Sequence, residues 1–503
     1  MAGKDLTMRA PAAKLTLYTF NCAMFAAVGS LLYGIDSGII STTVSQPSYL
    51  KYFAPYTADI SGAVVSTFGA GSFLGVMLAS YTADAWGRLV HRKRTIQFAA
   101  VVALIAGAIQ AGSVHIAMLI AGRILGGFAV GMMNMTIPIY NSEISPPNRR
   151  GLVSGLHAQF VGFGFAAANW IGFGCSYAKG AFQWRFPLAV QCIPALVLIL
   201  GSAFLPYSPR WLLEKGQEDE ALAVFTKLNA SAGIPDLSAE GAAAADFGQM
   251  REQIRRERED RRSFREVFAG KGARKRLLLA VLVQVFTQLS GINVINYYQT
   301  TLYRGVGITG HTVSLLAGIY GLVGPAANVI CLLYVDRWGR KKTLWISAIA
   351  MACDMALIMG LTAGYAKSDN TVGQGFTIAF IFCFSIIYSL GFNSIHYIYV
   401  PEIMNQQQRA KGSGISVGAN VLINIVFNQI SPRAFARVGY KYYAVFVSTN
   451  AVAAIVIFLF FVETKGRSLE DINALFGEAV YETRELPIDR EHEVLDDARD
   501  IKA

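Results

Sequence analysis

The chain has 503 residues, 53% of them hydrophobic and only 15% charged, with a formal net charge of +11. Soluble proteins carry about 25% charged residues, so this composition excludes a soluble enzyme, a disordered chain and a small disulfide scaffold. A helix needs about 20 apolar residues to cross about 30 Å of hydrocarbon. Twelve such helices account for the excess, and the positive charge then reads as basic loops on one membrane face, with no nucleic-acid partner expected.

In chain order, residues 1–16 read as a cytoplasmic tail carrying Lys4, Arg9 and Lys14, without a cleavable signal pattern. Apolar runs follow at 17–40, 62–82, 95–113, 116–140, 153–173 and 187–205. The stretch 206–276 is polar, with 14 basic and 12 acidic residues, and Arg251–Arg262 within it reads as a solvated helix of mixed charge. Six more runs lie at 277–300, 312–335, 343–364, 374–401, 411–431 and 442–462, and 463–503 closes the chain as a second cytoplasmic tail. The expected fold is an all-α polytopic membrane protein, with six-helix halves at 17–205 and 277–462.

Basic residues set the expected orientation. Arg88, Arg92, Lys93 and Arg94 follow helix 2, Arg149 and Arg150 follow helix 4, Arg337, Arg340, Lys341 and Lys342 follow helix 8, and Arg409 and Lys411 follow helix 10. They place the central loop and both termini in the cytoplasm. Arg433, Arg437 and Lys441, in the last external loop, run against this. The six cysteines lie in apolar stretches without metal-ligand spacing and read as buried small hydrophobes, so neither a metal nor a cofactor is expected.

The halves repeat. Asp84-x-x-Gly87-Arg88 after helix 2 matches Asp336-x-x-Gly339-Arg340 after helix 8, and Tyr140-x-x-Glu143 matches Tyr399-x-x-Glu402. Arg150 lies seven residues after Glu143, as Arg409 does after Glu402. Two six-helix repeats imply a pseudo-twofold protein with a central site between them. Gly126-Gly127-x-x-x-Gly131 and Gly162-x-Gly164 have no strand before them and read as close helix packing, not as nucleotide loops.

These motifs, with Arg123-x-x-x-Gly127, Pro138-x-Tyr140-x-x-Glu143, Ser208-Pro-Arg210-Trp211-Leu212, Gln288-Leu-Ser-Gly-Ile-Asn293, Arg409-Ala-Lys-Gly412 and Glu463-Thr-Lys-Gly-Arg467, resemble the sugar porter branch of the major facilitator superfamily, in its fungal form. The resemblance runs from Gly34 to Gly466. It departs at six positions: Tyr207 stands for the glutamate before Ser208-Pro-Arg210, Val462 stands for the proline before Glu463, Thr287 precedes Gln288, the helix 5 glutamine falls on Ala158 with Gln159 next door, the helix 10 tryptophan falls on Tyr397, and the helix 11 tryptophan falls on Val421.

The resemblance implies that Asp36 of helix 1 faces Arg123 of helix 4 and couples transport to protons. Burial raises the proton affinity of a carboxylate and a guanidinium lowers it again; the competing reading is a permanent structural ion pair. Gln288, Asn293 and Asn420 match family binding positions, and amides donate and accept at once, as a neutral polyhydroxylated substrate requires. Thr287, Gln159, Tyr297 and Tyr397 complete the candidate binding set, the tyrosines as a stacking or capping surface. Gln284, Asn424 and Asn428 read equally well as bonds between helices. Glu143, Arg150, Glu402 and Arg409 are expected to meet Asp84, Arg88, Asp336 and Arg340 as a cytoplasmic gate. Asp354 reads as a peripheral hydrogen-bonding group and His396 as a neutral packed histidine.

The expected function is secondary active transport, as proton-coupled symport of a monosaccharide by alternating access, performed by a monomer in the plasma membrane among its lipids. A carrier of a polyol or a quinate-type acid is the alternative, and a sugar sensor with no transport is a third reading. No nucleophile–base or metal constellation suggests an enzyme.

Overall fold

The computed structural model describes residues 16–84, 92–145, 150–229, 264–366 and 370–466, together with 368 and positions within 247–255 and 472–476. Among these residues the chain is helical, without strands. The N-terminal half contains α1 (Leu17–Ala26), α2 (Val28–Thr43), α3 (Pro47–Tyr52), α4 (Ala58–Asp84), α5 (Arg92–Ala111), α6 (Ile116–Ile144), α7 (Arg150–Ser176), α8 (Phe182–Val190) and α9 (Cys192–Gly201). Three short helices, α10 (Pro209–Lys215), α11 (Glu218–Asn229) and α12 (Phe264–Val267), lie in the central loop. The C-terminal half contains α13 (Lys271–Leu289), α14 (Ile292–Gly305), α15 (Thr312–Trp338), α16 (Arg340–Tyr365), α17 (Thr371–Gly391), α18 (Ile395–Ile403), α19 (Gln406–Val438) and α20 (Tyr443–Phe460).

These helices make twelve spans. Ten stretches are long and apolar enough to cross a membrane, and the last of them, Lys411–Phe460, holds two passes. The remaining span is α7, which trades apolar residues for His157, Gln159 and Asn169, all buried. Four spans are broken: at Ala27, at Gln191, at Ser290-Gly291 and at Phe392–Ser394. The seventh span breaks where the sequence places Ser-Gly, with Gly291 at φ +93, a left-handed conformation that glycine adopts without strain.

The helices run past the apolar runs at most ends. α19 covers 33 residues, where hydropathy marks only 411–431. α13 starts at Lys271, and its Arg276 is buried and donates to the Ile403 carbonyl at 3.1 Å. Polar end turns are invisible to a hydropathy reading, because the helix there leaves the hydrocarbon. Of the cysteines, Cys22, Cys175 and Cys331 are buried as expected, whereas Cys353 is exposed.

Packing follows the repeat. α4 packs on α6 within its half and on α19 of the other half; α15 packs on α17 within its half and on α7 of the other. Advancing six spans exchanges these two arrangements. The glycines set the closest crossings: a Cβ at Gly127 would strike the Phe68 carbonyl and one at Gly131 the Ser72 carbonyl, while Gly71 and Gly75 of α4 meet Ile124 and Phe128 of α6 in return. Gly34 and Gly164 bring α2 and α7 together in the same way.

Both described chain ends lie at one end of the bundle, here called inner. Thr16 bonds the Leu228 carbonyl of the central loop at 2.9 Å, and the Arg276 guanidinium lies 4.7 Å from the Phe476 ring. Arg251 and Arg255 lie in helical backbone and pair with Glu218 and Glu252; residues 256–262 of that basic run lie outside the described residues.

Candidate functional site

A cavity of about 190 Å³ opens between the halves near mid-depth, lined by residues from both. Its C-terminal wall is an array of side-chain amides on α13, α14 and α19. Gln288 donates to Asn420 Oδ1 at 2.8 Å, and its Oε1 accepts from Asn293 at 2.6 Å and Asn424 at 3.0 Å. Asn420 donates onward to Gln284 Oε1 at 3.0 Å, and Asn428 donates to Asn424 Oδ1 at 2.8 Å. The spacing 284, 288 on one helix and 420, 424, 428 on the other puts each set on one face, and the break at Gly291 turns Asn293 back toward Gln288. The array is both lining and interhelical bond: Gln284, Gln288, Asn293, Asn296 and Asn420 face the cavity.

Thr287, Tyr297 and Tyr397 also line the cavity. Thr287 spends its hydroxyl on the Val283 carbonyl at 2.8 Å. Tyr297 is buried, whereas Tyr397 is 41% exposed. Gln159 falls elsewhere. It lies behind the wall at the α7–α15 crossing, where it accepts from Asn328 at 3.2 Å and reaches the Pro325 carbonyl at 3.4 Å. The N-terminal wall instead presents His157, two residues earlier. His157 bridges Ser30 through Nδ1 at 2.7 Å and Asn134 through Nε2 at 2.8 Å, tying α2, α6 and α7 together. His157 was legible only as a polar residue in an apolar run. His396 also lines the cavity, its ring 4.0 Å from that of Tyr397.

Asp36 and Arg123 form an ion pair, both buried. Arg123 Nε also donates to the Val64 carbonyl at 3.2 Å, its guanidinium stacks 4.4 Å from the Phe68 ring, and its Nη2 has no hydrogen-bond partner among the described residues. The pair lies behind the cavity wall, next to the lining residue Ser37. Asp354 is buried in α16, with Oδ2 unpartnered.

At the inner end, Arg340 grips Glu402 with two hydrogen bonds, of 3.1 and 2.8 Å. Glu463 adds a contact that sequence reasoning did not assign: it accepts from the backbone N–H groups of Arg340, Lys341 and Lys342 at 2.8–3.4 Å, capping the positive end of α16. In the N-terminal half Glu143 pairs with Arg92 at 3.5 Å. Arg409 is exposed in the first turn of α19. Arg88 and the side chains of Asp84, Arg150 and Asp336 lie outside the described residues.

At the outer end the halves touch through polar contacts. Arg433 pairs with Asp59 at 2.6 Å. Gln429 accepts from Ser66 at 2.6 Å, Arg304 donates to the Ser45 carbonyl at 2.6 Å, and Thr300 donates to the Ser41 carbonyl at 2.8 Å. His311 stacks on Tyr177 with ring centroids 4.1 Å apart and bonds Ser176 at 2.9 Å. The arrangement is closed at the outer end. Among the described residues, no three His, Cys, Asp or Glu side chains cluster as metal ligands would.

A family profile described as "Sugar (and other) transporter" matches residues 22–476. The MFS-type transporter criB of Aspergillus cristatus is 37% identical, over 91% of this chain and 93% of that protein. A quinate permease of Neurospora terricola is 32% identical over 93% and 90% of the two chains, and a high-affinity glucose transporter of Kluyveromyces lactis is 28% identical over 90% and 84%. Among solved structures, the inward open conformation of the xylose transporter XylE from E. coli superposes with a TM-score of 0.74 at 24% identity, covering 91% of this chain and 100% of that one. The chain belongs to the sugar transporter family of the major facilitator superfamily and is an integral membrane protein.

Proposed function

We propose that this member of the sugar transporter family is a proton-coupled secondary transporter that moves a small polyhydroxylated solute by alternating access. The observation that carries the reading is the amide array of Gln284, Gln288, Asn293 and Asn420 facing a central cavity whose lining, among the described residues, holds no Asp, Glu, Lys or Arg. Such a wall offers many donors and acceptors without net charge, which suits hydroxyl groups. The glucose-transporter relative supports a monosaccharide. The quinate-permease relative supports a cyclic polyol acid as the second reading, and the two histidines of the cavity lining favour it.

Coupling is assigned to Asp36. Its carboxylate is buried, is paired with Arg123, and lies one residue from the lining residue Ser37. A change in α2 that parts the carboxylate from Arg123 while it stays out of bulk water favours its neutral form, and the group then takes a proton. The closed outer end describes one half of the cycle. Release of the Asp59–Arg433 and Arg304–Ser45 contacts opens the other side, and Arg340–Glu402–Glu463 and Arg92–Glu143 hold the inner ends of each half. Lys and Arg in the inner loops support a cytoplasmic inner end and cytoplasmic termini, and the plasma membrane is part of the same proposal. Uptake of a labelled panel of sugars, polyols and cyclic acids in transporter-null yeast at two pH values tests the reading. Uptake of a panel member that strengthens at acid pH supports it, and absence of uptake for the whole panel overturns it.

A further inference from the structure

His396 is a cavity-facing imidazole with one edge that the amide array leaves unused. It is the second residue of α18 and is 4% exposed. Its Nδ1 lies 2.7 Å from the Phe392 carbonyl. That bond needs a hydrogen on Nδ1, so the neutral ring presents Nε2 as a bare acceptor. Nε2 has no hydrogen-bond partner among the described residues. His157 differs, because both its ring nitrogens are engaged, by Ser30 and Asn134.

The surroundings decide what that edge can take. The titratable groups facing it across the cavity are His157, Tyr33, Tyr297, Tyr320, Tyr388 and Tyr397. All of these are neutral unless an imidazole takes a proton. Asp36 and Arg123 neutralise each other behind the wall. An anion entering such a cavity without a counter-charge loses its hydration uncompensated. A carboxylate that arrives with one proton leaves the cavity neutral, provided a basic atom within reach holds that proton.

We propose that His396 Nε2 receives the carboxylate of a hydroxylated carboxylic acid, taking up a proton as the anion docks, while the amide array binds the hydroxyls of the same molecule. His396 is then the residue that distinguishes an acid from its uncharged polyol counterpart. The inference rests on the transport reading above and names the substrate class of that site.

The test uses the full chain in transporter-null yeast, with quinate and the uncharged ring polyol inositol as matched probes, each measured as uptake and as competitor. Wild-type protein is expected to bind quinate more tightly than inositol and to tighten further on quinate as the medium is acidified. His396→Gln and His396→Asn are expected to weaken quinate by about tenfold or more, the worth of a charge-assisted hydrogen bond, and to leave inositol nearly unchanged. Retained inositol uptake shows that the variants fold; if they do not fold, the wild-type protein decides, since quinate affinity should then tighten more steeply with acid than inositol affinity does, and equal pH dependence for both overturns the proposal. Inositol or sugar uptake that quinate does not inhibit overturns the proposal while the transport reading stands. Equal losses for both probes also overturn it. Absence of uptake for every solute removes the transport reading and this proposal together.

Discussion

Arg433 of α19 and Asp59 of α4 form an ion pair across the two halves, with Nη2 2.6 Å from Oδ2. The pair gives a partner to a basic residue at the outer end, where the positive-inside pattern does not expect one. Both side chains are 55% exposed, so the contact is screened by salt. Asp59→Asn or Arg433→Gln is expected to shift the protein a few-fold toward outer opening at low salt, with the effect fading as salt rises. Reaction of a cysteine placed at Ser37 with an impermeant reagent reads the shift. The charge-swapped double variant should restore the wild-type rate, and failure to do so would make the pair incidental.

Gln288 holds three side-chain amides, those of Asn420, Asn293 and Asn424, whereas Asn420 holds Gln288 and Gln284. Each lost neutral hydrogen bond is worth about 0.5–1.5 kcal/mol, and more where a buried partner is stranded. Gln288→Ala should therefore raise the substrate half-saturation constant more than Asn420→Ala does, by about tenfold against several-fold. Unchanged constants in both variants would mean that the array only joins α13 to α19.

Gln159 makes its bonds behind the wall, to Asn328 and the Pro325 carbonyl. Gln159→Ala is expected to leave equilibrium substrate binding unchanged and to alter the transport rate, because it removes a contact between α7 and α15. A loss of binding equal to that of Gln288→Ala would put Gln159 back among the substrate contacts.

The contrast between these two glutamines shows what a single sequence discloses. The twelve spans, the two halves and the break at Gly291 were legible, because hydropathy, internal repetition and a Ser-Gly step are local signals. The amide stripe was legible through its four-residue spacing. His157 was not, since an isolated histidine in an apolar run has the same signature whether it faces a cavity or packs. Gln159 and His157 are two residues apart, about 200° around a helix, and only the fold says which one faces inward. Glu463 was visible as a motif residue, but its role depends on the start of α16 lying beside it, more than a hundred residues earlier in the chain. Asp59 and Arg433 share no sequence pattern at all.

Asp36→Asn mimics the protonated carboxyl and removes the charge that Arg123 faces. It is expected to abolish uphill accumulation and to leave exchange of substrate across the membrane. Removing one partner of a buried pair destabilises by about 3–5 kcal/mol, and Arg123 Nη2 already lacks a partner, so a lowered Tm should accompany the defect. Counterflow in proteoliposomes separates the two effects, since exchange requires a folded carrier. Full uphill uptake by the variant would remove Asp36 from the coupling mechanism.

The driving force separates a symporter from a facilitator. If one proton enters with each neutral sugar or polyol, one charge crosses per cycle, worth about 2.3 kcal/mol per 100 mV. One pH unit, acid outside, adds about 1.4 kcal/mol. The sum of about 3.7 kcal/mol supports an accumulation ratio on the order of 500, whereas a facilitator reaches a ratio of one whatever the gradient. Asp36 is the buried carboxylate with a charged partner beside the cavity, and Asp354 lies in the peripheral helix α16, so one proton rather than two is expected. Adding substrate should alkalinise an unbuffered cell suspension, and a protonophore should collapse accumulation. Uptake that stops at equilibrium and ignores the protonophore would leave Asp36 and Arg123 as a permanent structural pair, holding α2 to α6 through the whole cycle.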